Sequence, residues 1–223
     1  MRFVDLRLVW ALNASSSPLL ISQYVLPELR VIKRFEPFMI TVMASILRSV
    51  CPAGGVLVDS GANDGAWSLL AASMGCTAVA IEPQPFCVGL LNAAAQENGP
   101  TLSSRLKVVN AILAPITSRH HPGVPTDTCI GEMQALPDGR TTSAITHRPM
   151  GLGRSNTTSV PVVSLDALVE DTLADNHVDL WHVDTEGAEL LVLRSAARLF
   201  ASRLIDRVIL ELVPSRSANV SKY

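Results

Sequence analysis

Strand-like and helical segments alternate through most of this 223-residue chain, and that alternation constrains its fold more than any other feature. Runs rich in β-branched and other apolar residues predict strands at 56–58, 77–81, 106–109, 160–163, 178–183 and 206–213. Between them, helical spacing of apolar residues predicts helices at 66–74, 86–98, 164–174 and 187–202. Parallel strands need long crossover connections, so this order favours βαβ units. The sequence predicts an α/β fold with a doubly wound, mostly parallel sheet.

The chain divides into three parts. Residues 1–53 predict a mainly helical segment, because apolar residues from Phe35 to Leu47 recur at helical spacing. Residues 54–213 carry the alternating pattern, with an irregular insertion at 114–159. That insertion is long for a plain loop, so we consider a lid, a set of small strands or a mobile segment. Residues 214–223 form a polar tail.

Composition excludes several classes of protein. Hydrophobic residues make up 48% of the chain and charged residues 17%, which is typical of a globular protein with a buried core. The net charge of -2 gives no basic surface for nucleic acid. No apolar stretch is long enough to span a membrane. The histidines of the insertion lack metal-ligand spacing, so we expect no metal at His120, His121 or His147. The sequence contains no pattern that indicates the oligomeric state.

The cysteines bear on the compartment. They are Cys51, Cys76, Cys87 and Cys129, and no two of them form a Cys-x-x-Cys pair. We therefore expect free thiols in a reducing compartment and a cytoplasmic protein. Three Asn-x-Ser/Thr triplets, which matter only in the secretory pathway, leave a Golgi setting open; they lie at Asn13, Asn156 and Asn219.

A glycine-containing turn follows the first predicted core strand, with glycines at Gly61 and Gly65. Glycine permits backbone angles closed to other residues and lets a ligand approach the main chain. The free N–H groups of the helix that follows can bind a carboxylate or phosphate. An ordinary strand–helix turn would have the same residues, so a second signal is needed.

Glu82 gives that second signal, because it ends the next strand, 21 positions after Gly61. An acid at this place accepts hydrogen bonds from ribose hydroxyls in doubly wound folds, although a solvated strand-end acid is the alternative. The spacing fits a nicotinamide dinucleotide or S-adenosylmethionine. Asn63 occupies the place where a dinucleotide site has its second glycine, which disfavours the dinucleotide.

A third segment, at 179–189, ends a strand and begins a helix with several acids. In an open α/β sheet this edge binds ligands. Asp184 and Glu186 are the candidate reactive acids, whereas Glu189 equally fits a cap of the helix. His182 lies on the same side of its strand as Asp184. It is either a base or a buried core histidine.

Together these segments resemble the FkbM-type methyltransferases, a family of S-adenosylmethionine-dependent enzymes with the Rossmann-like class I methyltransferase fold. The resembling pieces are VDSGANDGAWS (58–68), AIEPQP (80–85), VSLDALV (163–169), VDLWHVDTEGAELLVLRSA (178–196) and VILEL (208–212). They occur in the order found in the family.

The resemblance implies a role for each matching residue. The loop around the methionine part of the cofactor would comprise Asp59, Gly61, Asn63 and Gly65. The ribose would bind Glu82, and the adenine would lie near Asn110 and Ala111. The catalytic base would be Asp184, then Glu186, then His182, and Asp166 would cap a helix. The implied reaction is methyl transfer to the hydroxyl of a small molecule or a glycan.

The chain departs from the family at three places. Ser60 replaces a small β-branched residue, and His182 stands where lysine is common. The chain ends soon after the predicted strand at 206–213, where the family's sheet adds two strands. A non-catalytic S-adenosylmethionine-binding module therefore stays open as an alternative, with a nicotinamide-dependent oxidoreductase less favoured.

Overall fold

The computed structural model describes residues 2–6, 18–23, 30, 34, 37–115, 120–127, 129, 133–135, 141–143, 156–173, 175 and 177–212. A five-stranded parallel sheet forms its centre. Its strands are β3 (Val56–Ser60), β4 (Thr77–Ile81), β5 (Leu106–Val109), β11 (Leu180–Val183) and β12 (Val208–Leu210). They lie in the order β12-β11-β3-β4-β5, and every neighbouring pair is parallel. The chain is an α/β protein with the doubly wound sheet that the sequence predicted.

Helices cover both faces of this sheet. They are α1 (Pro37–Val50), α2 (Ala66–Met74), α3 (Pro85–Glu97), α4 (Pro100–Ser103), α5 (Leu165–Thr172), α6 (Glu189–Arg194) and α7 (Ala197–Ala201). Side chains alternate between the faces of a strand, so β11 contributes Leu180 to one buried cluster and Trp181 to the other. The first cluster packs beneath α1, α2 and α3, and the second beneath α5, α6 and α7.

The N-terminal part differs from the helical prediction. Two short strands, β1 (Phe3–Asp5) and β2 (Leu20–Ser22), pair antiparallel. The side chain of Asn98, at the end of α3, accepts from the amide of Leu20 and donates to its carbonyl. This long-range contact, 78 residues apart in sequence, holds β2 on the domain and is invisible to local periodicity. Helix α1 lies where helical spacing predicted one.

The irregular stretch contains small strands, which was one of three predicted alternatives. They are β6 (Ile112–Leu113), β7 (His120–Pro125), β8 (Met133–Ala135), β9 (Thr141–Ser143) and β10 (Thr157–Val163). β10 lies between β6 and β7 in a three-stranded sheet, and β8 pairs with β9. The run at 160–163 therefore belongs to this second sheet.

Two C-terminal elements are shorter than predicted. The helix expected at 187–202 divides into α6 and α7, because the chain turns at Ser195, whose hydroxyl donates to the carbonyl of Val192 at 2.6 Å. The strand expected at 206–213 is limited to β12 among the described residues, and its end at 213 lies outside them. The polar tail at 214–223 also lies outside them.

Asp166 caps a helix, although not the one in which it lies. Its two carboxylate oxygens accept the amides of Arg198 and Leu199, both at 2.9 Å, at the start of α7. Its own helix, α5, is capped by the hydroxyl of Ser164, which accepts the amide of Ala167.

The expectation of free thiols is wrong. Cys51 bonds to Cys76 and Cys87 bonds to Cys129, across sequence separations of 25 and 42 residues, and none of the four cysteines is free. The short-range spacing rule missed both bonds because each joins elements that only the fold brings together. The first bond lies beside the start of the sheet, and the second lies at the first turn of α3.

No helix in the described part of the chain is long and apolar enough to cross a membrane.

Candidate active site

The carboxyl ends of β3 and β11 meet where the strand order reverses. β4 and β5 lie on one side of β3, and β11 and β12 lie on the other. At this point the amide of Asp184 donates to the carbonyl of Ser60 at 3.0 Å. Gly61 has a φ of 78°, and a Cβ there would lie 1.7 Å from the carbonyl oxygen of Asp184. Only glycine fits, and the two loops meet at the crevice where open α/β sheets bind ligands.

The glycine turn is fixed to the end of β4. The amides of Gly61 and Ala62 both donate to the carbonyl of Ile81, at 3.0 and 3.1 Å. Asn63 has a left-handed φ of 50°, and its amide donates to Oε2 of Glu82 at 2.9 Å. The predicted cofactor loop and the predicted ribose ligand are therefore in direct contact.

Helix α2 begins immediately after this turn. Asp64 Oδ1 accepts the amide of Ala66 at 2.9 Å. Gly65 has a φ of 82°, and a Cβ on it would lie 2.0 Å from Cδ1 of Leu91 on α3. Gly65 is thus needed for the turn and for the close packing of α3.

Glu82 is a buried acid with both oxygens occupied. Besides the amide of Asn63, it accepts the amide of Gln84 at 2.8 Å. Burial raises the pKa of Glu82 to about 7, and the negative charge of Asp59 adds to the rise, while the two main-chain hydrogen bonds oppose it. Its carboxylate oxygens keep further lone pairs with which to accept ligand hydroxyls.

Asn110 joins the end of β5 to the end of β4. Its Nδ2 donates to the carbonyls of Glu82 and Pro83, at 2.9 and 2.8 Å. Ala111 follows it and is buried. Both residues lie beside the Glu82 turn, and the adenine contact that the family resemblance implies for them stays a prediction.

Asp59 and His182 form a buried pair on neighbouring strands. Nδ1 of His182 donates to Oδ1 of Asp59 at 2.9 Å, and the hydroxyl of Ser68 donates to the other oxygen at 2.6 Å. Burial works against a charged imidazole, but the hydrogen bond and charge of Asp59 outweigh it, so the pKa of His182 is raised. The ring of Trp67 lies edge-on to His182, with 6.0 Å between centroids. These contacts are those of a satisfied core histidine.

Ser60, one of the departures noted in the sequence, hydrogen-bonds to Trp181. The two side chains share the face of the sheet opposite to Asp59 and His182. Nε1 of Trp181 donates to the hydroxyl of Ser60 at 2.8 Å, and both side chains are buried. A β-branched aliphatic residue would leave the indole N–H unpaired. The hydroxyl therefore suits this core.

Asp184 contrasts with all these groups, because its Oδ1 is buried and has no hydrogen-bond partner in the described structure. Burial raises the pKa of Asp184 to about 8, the charges of Glu211, Glu186 and Asp59 add to the rise, and His182 opposes it. A buried oxygen without a partner is costly unless a ligand or a proton satisfies it.

Glu211 was missed as a site residue by the sequence analysis. Val183 and Leu210 are register partners, so the next residues, Asp184 and Glu211, stand side by side at the edge of the sheet. The amide of Glu211 donates to the carbonyl of Val183 at 2.9 Å. An acid ending a core strand was a visible signal, but its neighbour depends on the strand order.

The turn after β11 exposes one acid and buries another. Glu186 has a left-handed φ of 53° and an exposed side chain. Glu189 is buried, and its Oε1 accepts the amide of Gly187 at 2.7 Å. Glu189 therefore holds the turn that leads into α6, which has no side-chain cap at its start, and Glu186 is exposed two residues after Asp184.

The second disulfide reaches this site from the insertion. The sulfurs of Cys129 and Cys87 lie 3.0 and 3.6 Å from Oδ1 of Asn63. The segment that follows β7 is thus covalently fixed beside the turn that contacts Glu82.

A family model described as the methyltransferase FkbM domain matches residues 59–218 of the chain. The chain belongs to the FkbM methyltransferase family. The match covers every predicted cofactor and catalytic residue, from Asp59 to Glu186. Comparisons with curated proteins and with solved structures gave no match. The FkbM family assignment agrees with the parallel sheet and its helices, and it identifies the chain as a methyltransferase.

One further cluster lies at the amino-terminal edge of the same sheet in this FkbM domain. His177, Asp179 and Asp206 bring potential metal-ligating atoms within 4.8 Å of one another. Nε2 of His177 lies 3.1 Å from Asp206, and Oδ2 of Asp179 already accepts the amide of Val56. These contacts tie β3, β11 and β12 together, away from the candidate site.

Proposed function

We propose that this FkbM-family protein transfers a methyl group from S-adenosylmethionine to a hydroxyl of a small-molecule or glycan acceptor. The observation that carries the proposal is the buried, unpartnered oxygen of Asp184 beside Gly61, where the strand order reverses. A buried acceptor oxygen without a partner is costly unless a ligand or a proton satisfies it.

The residues present suit this cofactor. The turn comprising Asp59, Gly61, Asn63 and Gly65 would surround its methionine part, with Glu82 at the ribose and Asn110 and Ala111 near the adenine. When bound, S-adenosylmethionine supplies a reactive methyl group on a positively charged sulfonium. Asp184 and Glu186 follow β11, which lies on the other side of β3 from the strand that ends at Glu82.

The chain itself must align the acceptor and remove a proton from its hydroxyl. Asp184 is our first candidate for that base, ahead of the exposed Glu186 and the already paired His182. A pKa of about 8 keeps Asp184 mostly protonated at neutral pH, and a neighbouring positive charge lowers that pKa. Cofactor binding would therefore release a proton and produce the carboxylate form of Asp184. A pKa near the working pH is the value that a general base needs.

Calorimetric titration with S-adenosylmethionine and, separately, with NAD tests the cofactor. We expect heat only with S-adenosylmethionine, and a dependence on buffer ionisation enthalpy at pH 7 that reports proton release. Glu82→Ala should weaken binding roughly 10–100-fold, the effect of losing hydrogen bonds to a charged group. Glu97→Ala, on the exposed surface of α3, is the matched control and should bind normally.

Each other outcome has a defined meaning. Silence with both ligands, from protein with a cooperative thermal transition, contradicts the cofactor assignment. Heat with NAD alone favours an oxidoreductase. Binding of S-adenosylmethionine without methylation of any sugar or small alcohol, followed by mass spectrometry, favours a non-catalytic module.

A further inference from the structure

The two disulfides bear on where this chain folds. Both are buried, since none of the four cysteines exposes more than 1% of its surface. Each joins elements far apart in sequence, so they belong to the folded core. Disulfides form and persist in oxidising compartments and are rare in the cytosol, where thiols are kept reduced. Full pairing of all four cysteines therefore opposes the cytoplasmic expectation.

An independent feature lies at the start of β10. Asn156 begins the triplet Asn156-Thr157-Thr158, which is the acceptor sequence for N-linked glycans. The residue is exposed, and no described residue bonds its side-chain amide. Its main-chain carbonyl accepts the amide and the hydroxyl of Thr126 at 3.0 and 3.1 Å. The backbone is thus held while the amide faces solvent.

We propose that the chain folds in the oxidising lumen of the secretory pathway and carries an N-linked glycan on Asn156. The inference does not depend on the proposed function. Nδ2 of Asn156 forms a bond to the anomeric carbon of an oligosaccharide carried on a lipid pyrophosphate. The bond from that carbon to the pyrophosphate breaks, the amide loses a proton, and the lipid pyrophosphate leaves. Each disulfide forms by exchange with a protein disulfide of the lumen, which takes up two electrons and two protons and becomes a dithiol.

The full-length chain, purified from its source cells, gives the direct test. Peptide mass spectrometry before and after treatment with an amidase that removes N-glycans should show Asn156 converted to aspartate. Thiol alkylation under denaturing conditions should label no cysteine before reduction and all four after it. An unmodified Asn156 peptide overturns the glycan, and cysteines labelled without reduction overturn the compartment.

Variants expressed in the same cells separate the glycan from changes in folding. Asn156→Gln and Thr158→Ala should each lose one amidase-sensitive mobility step on a denaturing gel. Thr157→Ala and Thr158→Ser keep the acceptor triplet and should retain that step. Equal mobility of all four variants contradicts the proposal. Mass spectrometry of the peptide that contains Asn156 distinguishes this site from the triplets at Asn13 and Asn219, which lie outside the described residues.

Discussion

The two halves of the carboxyl edge of the sheet each hold an acid with a buried oxygen, but only one of these acids has both oxygens hydrogen-bonded within the described structure. On the β4 side, both oxygens of Glu82 accept main-chain amides, from Asn63 and Gln84. On the β11 side, Asp184 keeps a buried oxygen without a partner among the described residues and faces the charge of Glu211. A satisfied acid fixes the backbone around it, whereas an unsatisfied acid retains capacity for a ligand.

This difference gives the two halves separate roles in the proposed reaction, one in binding and one in proton removal. The Glu82 half is organised before any ligand arrives, as a binding surface should be. The Asp184 half keeps unfavourable electrostatics that a cationic ligand would relieve, which suits a group that reacts. Four predictions test this contrast, in order of decreasing expected effect on binding and catalysis.

Replacing Gly61 should damage both halves at once. In Gly61→Ala, the new Cβ would overlap the carbonyl of Asp184 in a backbone conformation that disfavours side chains. We expect loss of detectable cofactor binding and destabilisation of about 2 kcal/mol or more, measured by calorimetry and by urea unfolding. Gly89→Ala is the control, because Gly89 lies on α3 with open space around its Cβ position. It should bind normally and gain about 0.5–1 kcal/mol. Normal binding by Gly61→Ala would show that the two halves do not need their contact.

Replacing Asp184 should affect only the reacting half. Asp184→Asn keeps the shape of the side chain and removes the base, so kcat should fall by roughly 10²–10⁴. The dissociation constant for the cofactor should change far less. Asp206→Asn, at the opposite edge of the sheet, should leave both constants unchanged. A normal kcat in Asp184→Asn would move the role of base to Glu186 or His182.

The two disulfides should differ in what their removal changes. Replacing either pair of cysteines by serines should lower the free energy of unfolding by about 2–4 kcal/mol. Only the Cys87/Cys129 pair contacts Asn63, so only its loss should also weaken cofactor binding, by about tenfold. Titrations at a temperature where both double variants are folded provide the comparison. Equal affinities would mean that the insertion does not support the cofactor turn.

The prediction that bears least on binding and catalysis is a pH dependence of stability. The pKa of Asp184 rises from 3.8 to about 8 on folding, so the folded protein holds this proton more tightly than the unfolded chain. That stabilisation is complete below pH 3.8 and is lost as the pH rises to about 8. Asp184→Asn should therefore gain stability relative to wild type between pH 5 and pH 8 in urea titrations. Glu97→Gln, on the surface, should track wild type. If the free energy of unfolding of Asp184→Asn changes with pH as that of wild type does, the raised pKa of Asp184 is contradicted.

Local sequence was sufficient for most elements of the central sheet and for the contact between the glycine turn and Glu82. Helix α2 lies at 66–74, where apolar spacing placed it, and the turn at Gly61 follows its strand directly. The contact between Glu82 and Asn63 could be anticipated, because a βαβ unit brings successive strand ends together.

The rest depends on which strands become neighbours. His182 meets Asp59 across 123 residues, and Asp184 meets Glu211 through the pairing of β11 with β12. The disulfides and the strand pair at the N-terminus are equally non-local. Periodicity describes one segment at a time, so it could assign Asp184 to an edge without showing that its oxygen would be left unpaired.

The disulfides also divide the chain into two closed covalent rings, 51–76 and 87–129, which do not overlap. A protease that cuts one peptide bond inside either ring opens it but leaves both fragments attached. Between Cys51 and Cys129, a single cut separates the protein only in the link from 76 to 87. That link contains β4, which lies between β3 and β5 in the sheet. Its residues Ala78 to Glu82 are buried. Protein nicked inside either ring should therefore migrate as intact chain until it is reduced.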